Sequence, residues 1–288
     1  MAAAELVIEE VARIAGRAVM EPRIFAHGHG TDIYLADFRD GSGRIVIKRA
    51  RQPEAALDTE GWMLAYLAER SVLPVPKVHC AVRSLLIMDY VRDTGRLTGA
   101  AEEDAARLLA ALHAIRAPQY GLDRDTPIGP LRQPNVWSDD WLSFFRDYRL
   151  MFMARKGVEE GSLPFALVKS MERVAASLDR WIGNARPPSL IHGDLWSGNV
   201  MTGTDRINGF IDPSIYYADP EIELAFISLF STFGERFFKA YAELAGIEDG
   251  FFEARRDIYA LYPLLVHARL FGGPYIDRIN HIADRLTG

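Results

Sequence analysis

Ile191-His192-Gly193-Asp194-Leu195-Trp196-Ser197-Gly198-Asn199 is the stretch on which the reading of this chain turns. Asn199 follows Asp194 by five positions, and a second acidic residue, Asp212, closes the apolar run Phe210-Ile211 thirteen positions after Asn199. An Asp, an Asn and a second Asp in this order supply what phosphoryl transfer to a hydroxyl needs. The first carboxylate accepts a hydrogen bond from the alcohol and takes its proton as transfer proceeds. The amide oxygen of Asn199 and the carboxylate of Asp212 are the hard oxygen ligands that Mg²⁺ prefers against the phosphates of ATP. His192 reads as a residue that steadies the loop by hydrogen bonding, and Gly193 as the tight backbone beside the catalytic carboxylate. Each residue alone has an ordinary explanation, since Asp194 could cap a turn and Asp212-Pro213 could start one. The complete H-G-D-x-x-x-G-N run, followed by an apolar strand and D-P, singles out phosphotransfer.

A phosphotransferase also needs a group for the nucleotide, and the upstream half offers one. Lys48 ends the apolar strand Ile45-Val46-Ile47, from which an ammonium can reach the α- and β-phosphates if a helical Glu holds it. Glu60, twelve residues later on the next predicted helix, is its natural partner. A solvated strand-end Lys is the ordinary alternative, and the neighbouring Arg49 and Arg51 show that basic residues here need not be catalytic. The loop Ala26-His27-Gly28-His29-Gly30-Thr31 places Gly28 and Gly30 where backbone N–H groups could approach phosphate, although a plain hairpin turn accounts for it equally well. His27 and His29 have no nearby Cys or third His, which argues against a metal site there.

The bulk numbers set the frame. The chain has 288 residues, is 49% hydrophobic and 25% charged, and carries a net charge of −6. That is long enough for one large or two modest domains with ample core. Nucleic acid is not an expected partner, because phosphate contacts need clustered Lys and Arg. The single Cys80 cannot form an intramolecular disulfide and suits a reducing compartment. The N-terminus lacks the pattern of a secretory signal, and no apolar run approaches the ~20 residues of a membrane helix. The cytoplasm is the expected location, with no membrane partner and a monomer as the default state.

Periodicity divides the chain in two. Residues 5–19 place Val7, Ile8, Val11, Ile14, Ala15 and Ala18 on one helical stripe ending near Glu21-Pro22. Residues 23–50 read as strands around turns, with Asp40-Gly41-Ser42-Gly43 a hairpin signal. Residues 54–69 are helical, and Leu85 to Val91 is a buried strand. The expected division is therefore a β-rich N-terminal lobe, 1–90, and a mainly helical lobe, 91–288, an α+β protein. Beyond the boundary, 100–115, 138–154 and 163–184 read as helices, 118–136 as a long irregular connection, and the chain from Glu221 onward as predominantly helical.

Three segments together carry a family resemblance. His192-Gly193-Asp194-Leu195-Trp196-Ser197-Gly198-Asn199-Val200 resembles the catalytic motif of the fructosamine kinases, or ketosamine-3-kinases, within the aminoglycoside phosphotransferase and choline kinase group. Asn135-Val136-Trp137-Ser138-Asp139-Asp140-Trp141 with Phe144-Phe145 and Arg149-Leu150 resembles that family's N-x-W-x-x-D-W-x-x-F-F segment. Asp212-Pro213-Ser214-Ile215-Tyr216-Tyr217 with Glu221, Glu223, Leu224 and Ala225 is similar to its D-P-A-x-Y-Y segment, with Ser214 where Ala is usual. The resemblance runs from about residue 20 to the C-terminus.

It implies a bilobal protein-kinase-like fold and ATP-dependent phosphorylation of the sugar 3-hydroxyl of ketosamines, free or on proteins. The 3-phosphate is then lost, freeing the amine. It further implies Asp194 as base, Asn199 and Asp212 as Mg²⁺ ligands, Lys48 with Glu60 on ATP, and Met88, Asp89 and Tyr90 as an adenine-contacting linker acting through backbone groups. Trp196 is the best candidate for a substrate wall, with Trp137 and Tyr217 also near the proposed site. Asp140 could meet the substrate amine or cap a helix, while Phe144 and Phe145 read as core. The competing readings are a kinase of another small hydroxyl compound, such as an aminoglycoside, choline or a sugar, and a catalytically silent nucleotide-binding module.

Overall fold

The computed structural model describes residues 8–9, 11–14, 16–28, 30–52, 55–183 and 185–287. It divides into two compact units, Met1–Asp104 with Gly198–Ser214, and Ala105–Ser197 with Ile215–Gly288. The first is built on a sheet and the second mainly on helices, as the resemblance implies. The first unit extends beyond the expected end at residue 90 and takes in a segment from far along the chain. Backbone pairing explains why. Thr94 N donates to Thr202 O at 2.9 Å, and Ile207 N to Asp104 Oδ2 at 2.9 Å, so residues 198–214 complete their hydrogen bonds with the N-terminal segment.

Five antiparallel strands form the sheet: β1 (Arg23–Gly28), β2 (Thr31–Asp37), β3 (Arg44–Ala50), β4 (Val78–Val82) and β5 (Leu85–Asp89), in the order β1-β2-β3-β5-β4. Alternation along β3 assigns its two faces. Ile45 and Ile47 enter a core with Val11, Val19, Ala36, Phe38 and Ile87. Val46 and Ala50 pack on the opposite side, around Leu57, Leu64, Leu86 and Met88. Leu57 and Leu64 belong to the helix Leu57–Arg70, so that helix covers this second face. Lys48 has the parity of Val46 and Ala50 and is directed under the helix.

At the N-terminus the described helical residues are 8, 9 and 11–14. Val7 and Ala15 of the expected stripe lie outside the described residues. The expected run to residue 19 stops short, because Val19 forms a β-bridge with Phe38.

In the second unit the expected irregular connection contains a short hairpin, β6 (Thr126–Ile128) with β7 (Leu131–Gln133). Helical structure runs from Trp141 through a π-helical stretch at Phe145–Met151 to Glu159. The expected 163–184 helix is broken into Phe165–Ala175 and Leu178–Ile182. Trp141, Phe144 and Phe145 are core, with Trp141 stacked on both phenyl rings and its Nε1 donating to Tyr259 Oη at 3.0 Å. β8 (Ser189–Ile191) pairs with β11 (Tyr216–Ala218), matching Ile191 to Tyr216. That pairing fixes the strand end from which the His192-Gly193-Asp194 loop departs. No helix among the described residues is long and apolar enough to cross a membrane.

Gly61 marks the closest approach of helix Leu57–Arg70 to the sheet. A Cβ there would sit 2.3 Å from Ala81 Cβ and 3.1 Å from Leu86 Cδ1. Gly to Ala inside a helix ordinarily gains up to about 1 kcal/mol. Here Gly61→Ala should instead destabilise by about 1–3 kcal/mol, because the helix must lift from β4. Urea unfolding decides the sign: an unchanged or raised midpoint would contradict the packing described.

Candidate functional site

Within the first unit the chemistry gathers at Lys48. Its side chain is buried, and Nζ donates to Glu60 Oε1 at 2.7 Å and to Asp212 Oδ1 at 2.5 Å. Burial disfavours the ammonium, but the charges of Asp212 and Glu60 outweigh it and hold the group above the usual lysine range. Burial likewise pushes the Glu60 carboxyl up, to about 7, against the pull of Lys48.

The spacing of Asn199 and Asp212 is the length of a hairpin. β9 (Val200–Thr202) pairs with β10 (Ile207–Phe210), and Val200 faces Phe210. Asn199 and Ile211 therefore share one end of the ribbon, where Ile211 N donates to Asn199 O at 3.0 Å. Asp212 follows immediately. It has φ of 52°, a left-handed conformation that a non-glycine residue adopts at a cost of about 1–3 kcal/mol. Asn199 is buried at the end of a 3₁₀ turn, Ser197–Asn199. Among the described residues no three His, Cys, Asp or Glu side chains form a metal cluster. Mg²⁺ needs none, since it commonly binds through one or two protein oxygens plus substrate phosphates. The donor set fits: Asn199 and Asp212 offer oxygens from adjacent positions. Lys48 and Asp212 also neutralise each other, so an arriving cation and anion can each take one of the two partners.

Gly30 adopts φ of 72° between β1 and β2, and its carbonyl accepts from Arg51 N at 2.7 Å. The carbonyl of Gly28 accepts from Arg51 NH2 at 3.0 Å. His27 Nδ1 lies 2.7 Å from Asp32 Oδ1, while His29 lies outside the described residues. Met88 is buried in β5. The amides of Asp89 and Tyr90 are already engaged, donating to Lys77 O at 2.9 Å and Arg44 O at 3.0 Å. Adenine recognition at Asp89 or Tyr90 would have to use their carbonyls.

The second unit carries the loop of Asp194. Gly193 has φ of 86°, and its N–H donates to Glu223 Oε1 at 2.6 Å. His192 N donates to Glu223 Oε2 at 3.2 Å. That same oxygen lies 2.8 Å from His113 Nε2, whose Nδ1 is 2.7 Å from Tyr241 Oη. Downstream, Leu195 is buried and its carbonyl accepts from Thr232 Oγ1 at 2.8 Å. The loop is thus pinned on both sides of Asp194, which stays half-buried. Burial works against the Glu223 carboxylate, but His113 and the Gly193 N–H overcome it and hold its pKa below the ordinary glutamate value. Sequence reasoning placed Glu223 in a motif without a role and missed His113. A buried acid inside the apolar helix Glu221–Leu229 was the available signal.

Trp196 is exposed on this loop. Trp137 is also exposed, and its ring lies 6.2 Å from that of buried Tyr217. Arg149 joins chain neighbours of the two. Its guanidinium sits 3.9 Å from the Tyr216 ring centre, and donates to Pro134 O at 2.7 Å and to Asn135 Oδ1 at 2.6 Å. Asp140 acts as a helix cap, its Oδ2 accepting from Ser143 N at 2.9 Å.

Comparison with known proteins follows the same lines. A family model described as fructosamine kinase matches residues 18–287. A probable ketoamine kinase of Synechocystis sp. is 33% identical over 246 residues, covering 82% of this chain and 80% of its own length. The chloroplastic protein-ribulosamine 3-kinase of Arabidopsis thaliana is 28% identical over 277 residues, covering 93% of this chain and 84% of its own. A crystal structure of a candidate fructosamine-3-kinase from Thermobifida fusca superposes with a TM-score of 0.87 at 32% identity, covering 97% of this chain and 98% of that one.

The Glu223 anchor has a pH signature. A carboxylate whose folded pKa is depressed below its ordinary 4.5 contributes stability that is complete above that value and is lost as pH falls through the folded one. Glu223→Gln should therefore cost about 2–4 kcal/mol at pH 7, and the gap to the parent protein should narrow below about pH 4.5. Urea unfolding across that range measures it; a gap independent of pH would show that charge on Glu223 is not what holds the loop.

Proposed function

This chain belongs to the fructosamine kinase family, and we propose that its acceptor is the sugar 3-hydroxyl of ketosamines, free or attached to proteins. It is an ATP-dependent phosphotransferase with an alcohol group as acceptor. The observation that carries the chemistry is the buried ammonium of Lys48 held by Glu60 and Asp212, with Asn199 on the same hairpin end as Asp212. The names of the relatives, ketoamine kinase and protein-ribulosamine 3-kinase, support the acceptor. A single cysteine suits a cytoplasmic location.

The roles follow from the groups present. Asp194 accepts a hydrogen bond from the substrate hydroxyl and takes its proton, so the oxygen attacks as it gains negative charge. Lys48 neutralises phosphate charge, and Glu60 keeps the ammonium in place when Asp212 turns to a metal. Asn199 and Asp212 are the residues that would hold Mg²⁺. Mg·ATP, when bound, supplies the transferable γ-phosphoryl group and the cation that offsets its charge. Glu223 and His113 position the loop that carries Asp194. Trp137 and Trp196 offer exposed aromatic faces to the sugar, and buried Tyr217 lies beside the Trp137 ring.

ADP release with ribulosyl-lysine and with fructosyl-lysine tests the acceptor. Turnover on at least one is expected, and none on either from folded, ATP-binding protein would refute it. Asp194→Ala should keep nucleotide affinity while kcat falls by about three orders of magnitude or more; near-parental turnover would remove Asp194 as the base. Trp137→Ala should raise KM for the ketosamine about tenfold and leave KM for ATP unchanged, by loss of roughly 1–2 kcal/mol of ring contact. Equal changes in both constants would assign Trp137 to packing alone.

A further inference from the structure

The turn after helix Glu221–Leu229 ties the loop of Asp194 to a histidine on another helix of the second unit. Ser231 takes φ of 51°, a left-handed conformation at which the chain reverses. To one side of it, Thr232 Oγ1 donates to Leu195 O at 2.8 Å. To the other, the ring of Phe230 lies on that of His267, with 4.6 Å between centres. His267 belongs to the helix Arg256–Phe271. Burial above all raises the Tyr262 hydroxyl on that helix, and the charge of Asp194 acts in the same direction. The helix therefore runs beside the loop of Asp194.

His267 is half-buried, and its Nδ1 lies 2.8 Å from Pro263 O, one helical turn back. A carbonyl oxygen only accepts, so Nδ1 carries the hydrogen and the neutral ring keeps its lone pair on Nε2. Besides Phe230, the rings around it are exposed Phe271 at 5.7 Å and half-buried Tyr275 at 5.2 Å. Tyr275, on helix Pro274–Thr287, is the titratable group among them. Its neighbours Asp277 and Arg278 are exposed. Other charges on the packed helices are paired elsewhere: Arg269 with Glu160, Glu221 with Arg255, and Glu223 with His113. Burial holds the imidazole below its ordinary 6.5, with the Pro263 carbonyl opposing. At neutral pH His267 is thus an uncharged acceptor among aromatic rings, close to the loop of Asp194.

We propose that His267 recognises the amine of the acceptor, its Nε2 accepting a hydrogen bond from an ammonium N–H beside the rings of Phe230, Phe271 and Tyr275. An ammonium has only donors, so it needs a lone pair, and aromatic faces attract cations. Asp140, the carboxylate that the sequence offered for the amine, caps its helix. The proposal rests on the ketosamine reading, in which a secondary amine adjoins the sugar. Protonation of His267 removes the lone pair and sets two cations against each other. A sugar hydroxyl, donor and acceptor at once, would meet either form. The direction of the pH dependence therefore identifies the partner.

Steady-state ADP release by the full chain, at saturating Mg·ATP and between about pH 8 and pH 5.5, tests this with ribulosyl-lysine and fructosyl-lysine. KM for the ketosamine should rise about tenfold as pH falls through the His267 pKa, while KM for ATP stays flat. Titration of Asp194, the proposed base, falls on kcat and is separated by that split. His267→Phe keeps a ring without an acceptor. It should raise KM for the ketosamine about five- to tenfold near pH 8 and abolish the dependence of KM on pH. His267→Gln, a neutral side chain with a carbonyl acceptor, should recover most of that affinity and remain flat with pH. A parental KM that does not rise in acid, or a His267→Phe KM within twofold of parental, would overturn the proposal. So would equal changes in KM for ketosamine and ATP, which mark packing alone. The parental profile needs no variant to fold. No parental turnover on either ketosamine would refute the acceptor reading and this proposal with it, whereas turnover with a flat KM overturns this proposal alone.

Discussion

A buried ammonium cannot stand without counter-charge, and that requirement organises the first unit. Lys48 lies under the helix Leu57–Arg70 because strand parity puts it on the side of Val46 and Ala50. Once there it needs carboxylates within hydrogen-bond reach. Glu60 provides one from the helix and Asp212 the other from the end of β10. The helix must also come close to the sheet, which explains why Gly61 and not a larger residue faces Ala81. The proposed nucleotide chemistry uses charges that folding had already assembled.

The second unit solves a related problem with backbone instead of ammonium. The loop at Asp194 must expose a carboxylate while keeping it still. Glu223, buried and charged, collects the N–H groups of His192 and Gly193, and His113 Nε2 lies 2.8 Å from its Oε2. Positive φ has a different cost at the two loops. Gly193 takes its positive φ at little cost, whereas Asp212 takes one beside a proline, where both the side chain and the following ring disfavour it. Such strain persists only where surrounding bonds over-determine the conformation, and the Lys48 ion pair together with the Asn199–Ile211 bond do so here. Arg149 is a third buried charge, held by aromatic faces and by oxygens of Pro134 and Asn135.

Much of this could be read in advance, and the misses have physical causes. The Lys48–Glu60 pairing was legible because alternation on a strand and position on the next helix are both local. The phosphotransfer motif was legible because its residues are close in sequence. His113 was not, since nothing in an Ala- and Leu-rich helix says that its last residue will meet a carboxylate of the helix Glu221–Leu229. Asp140 could be read two ways until the position of the Ser143 amide settled its use as a cap. The division of the chain at residue 90 followed composition, but compactness follows hydrogen bonding, and β9–β10 completes its bonds with residues 74 and 92–104.

The sequence by itself determined the class of chemistry and the α+β order of elements, because spacing and periodicity are properties of neighbours along the chain. Only the tertiary structure decided that Lys48 is shared between two carboxylates, that Glu223 and His113 hold the loop of Asp194, and that thirteen residues from Asn199 to Asp212 are a hairpin bringing its two ends together. Those outcomes depend on which buried polar groups must find partners across long stretches of chain, and burial is known only once the chain has folded.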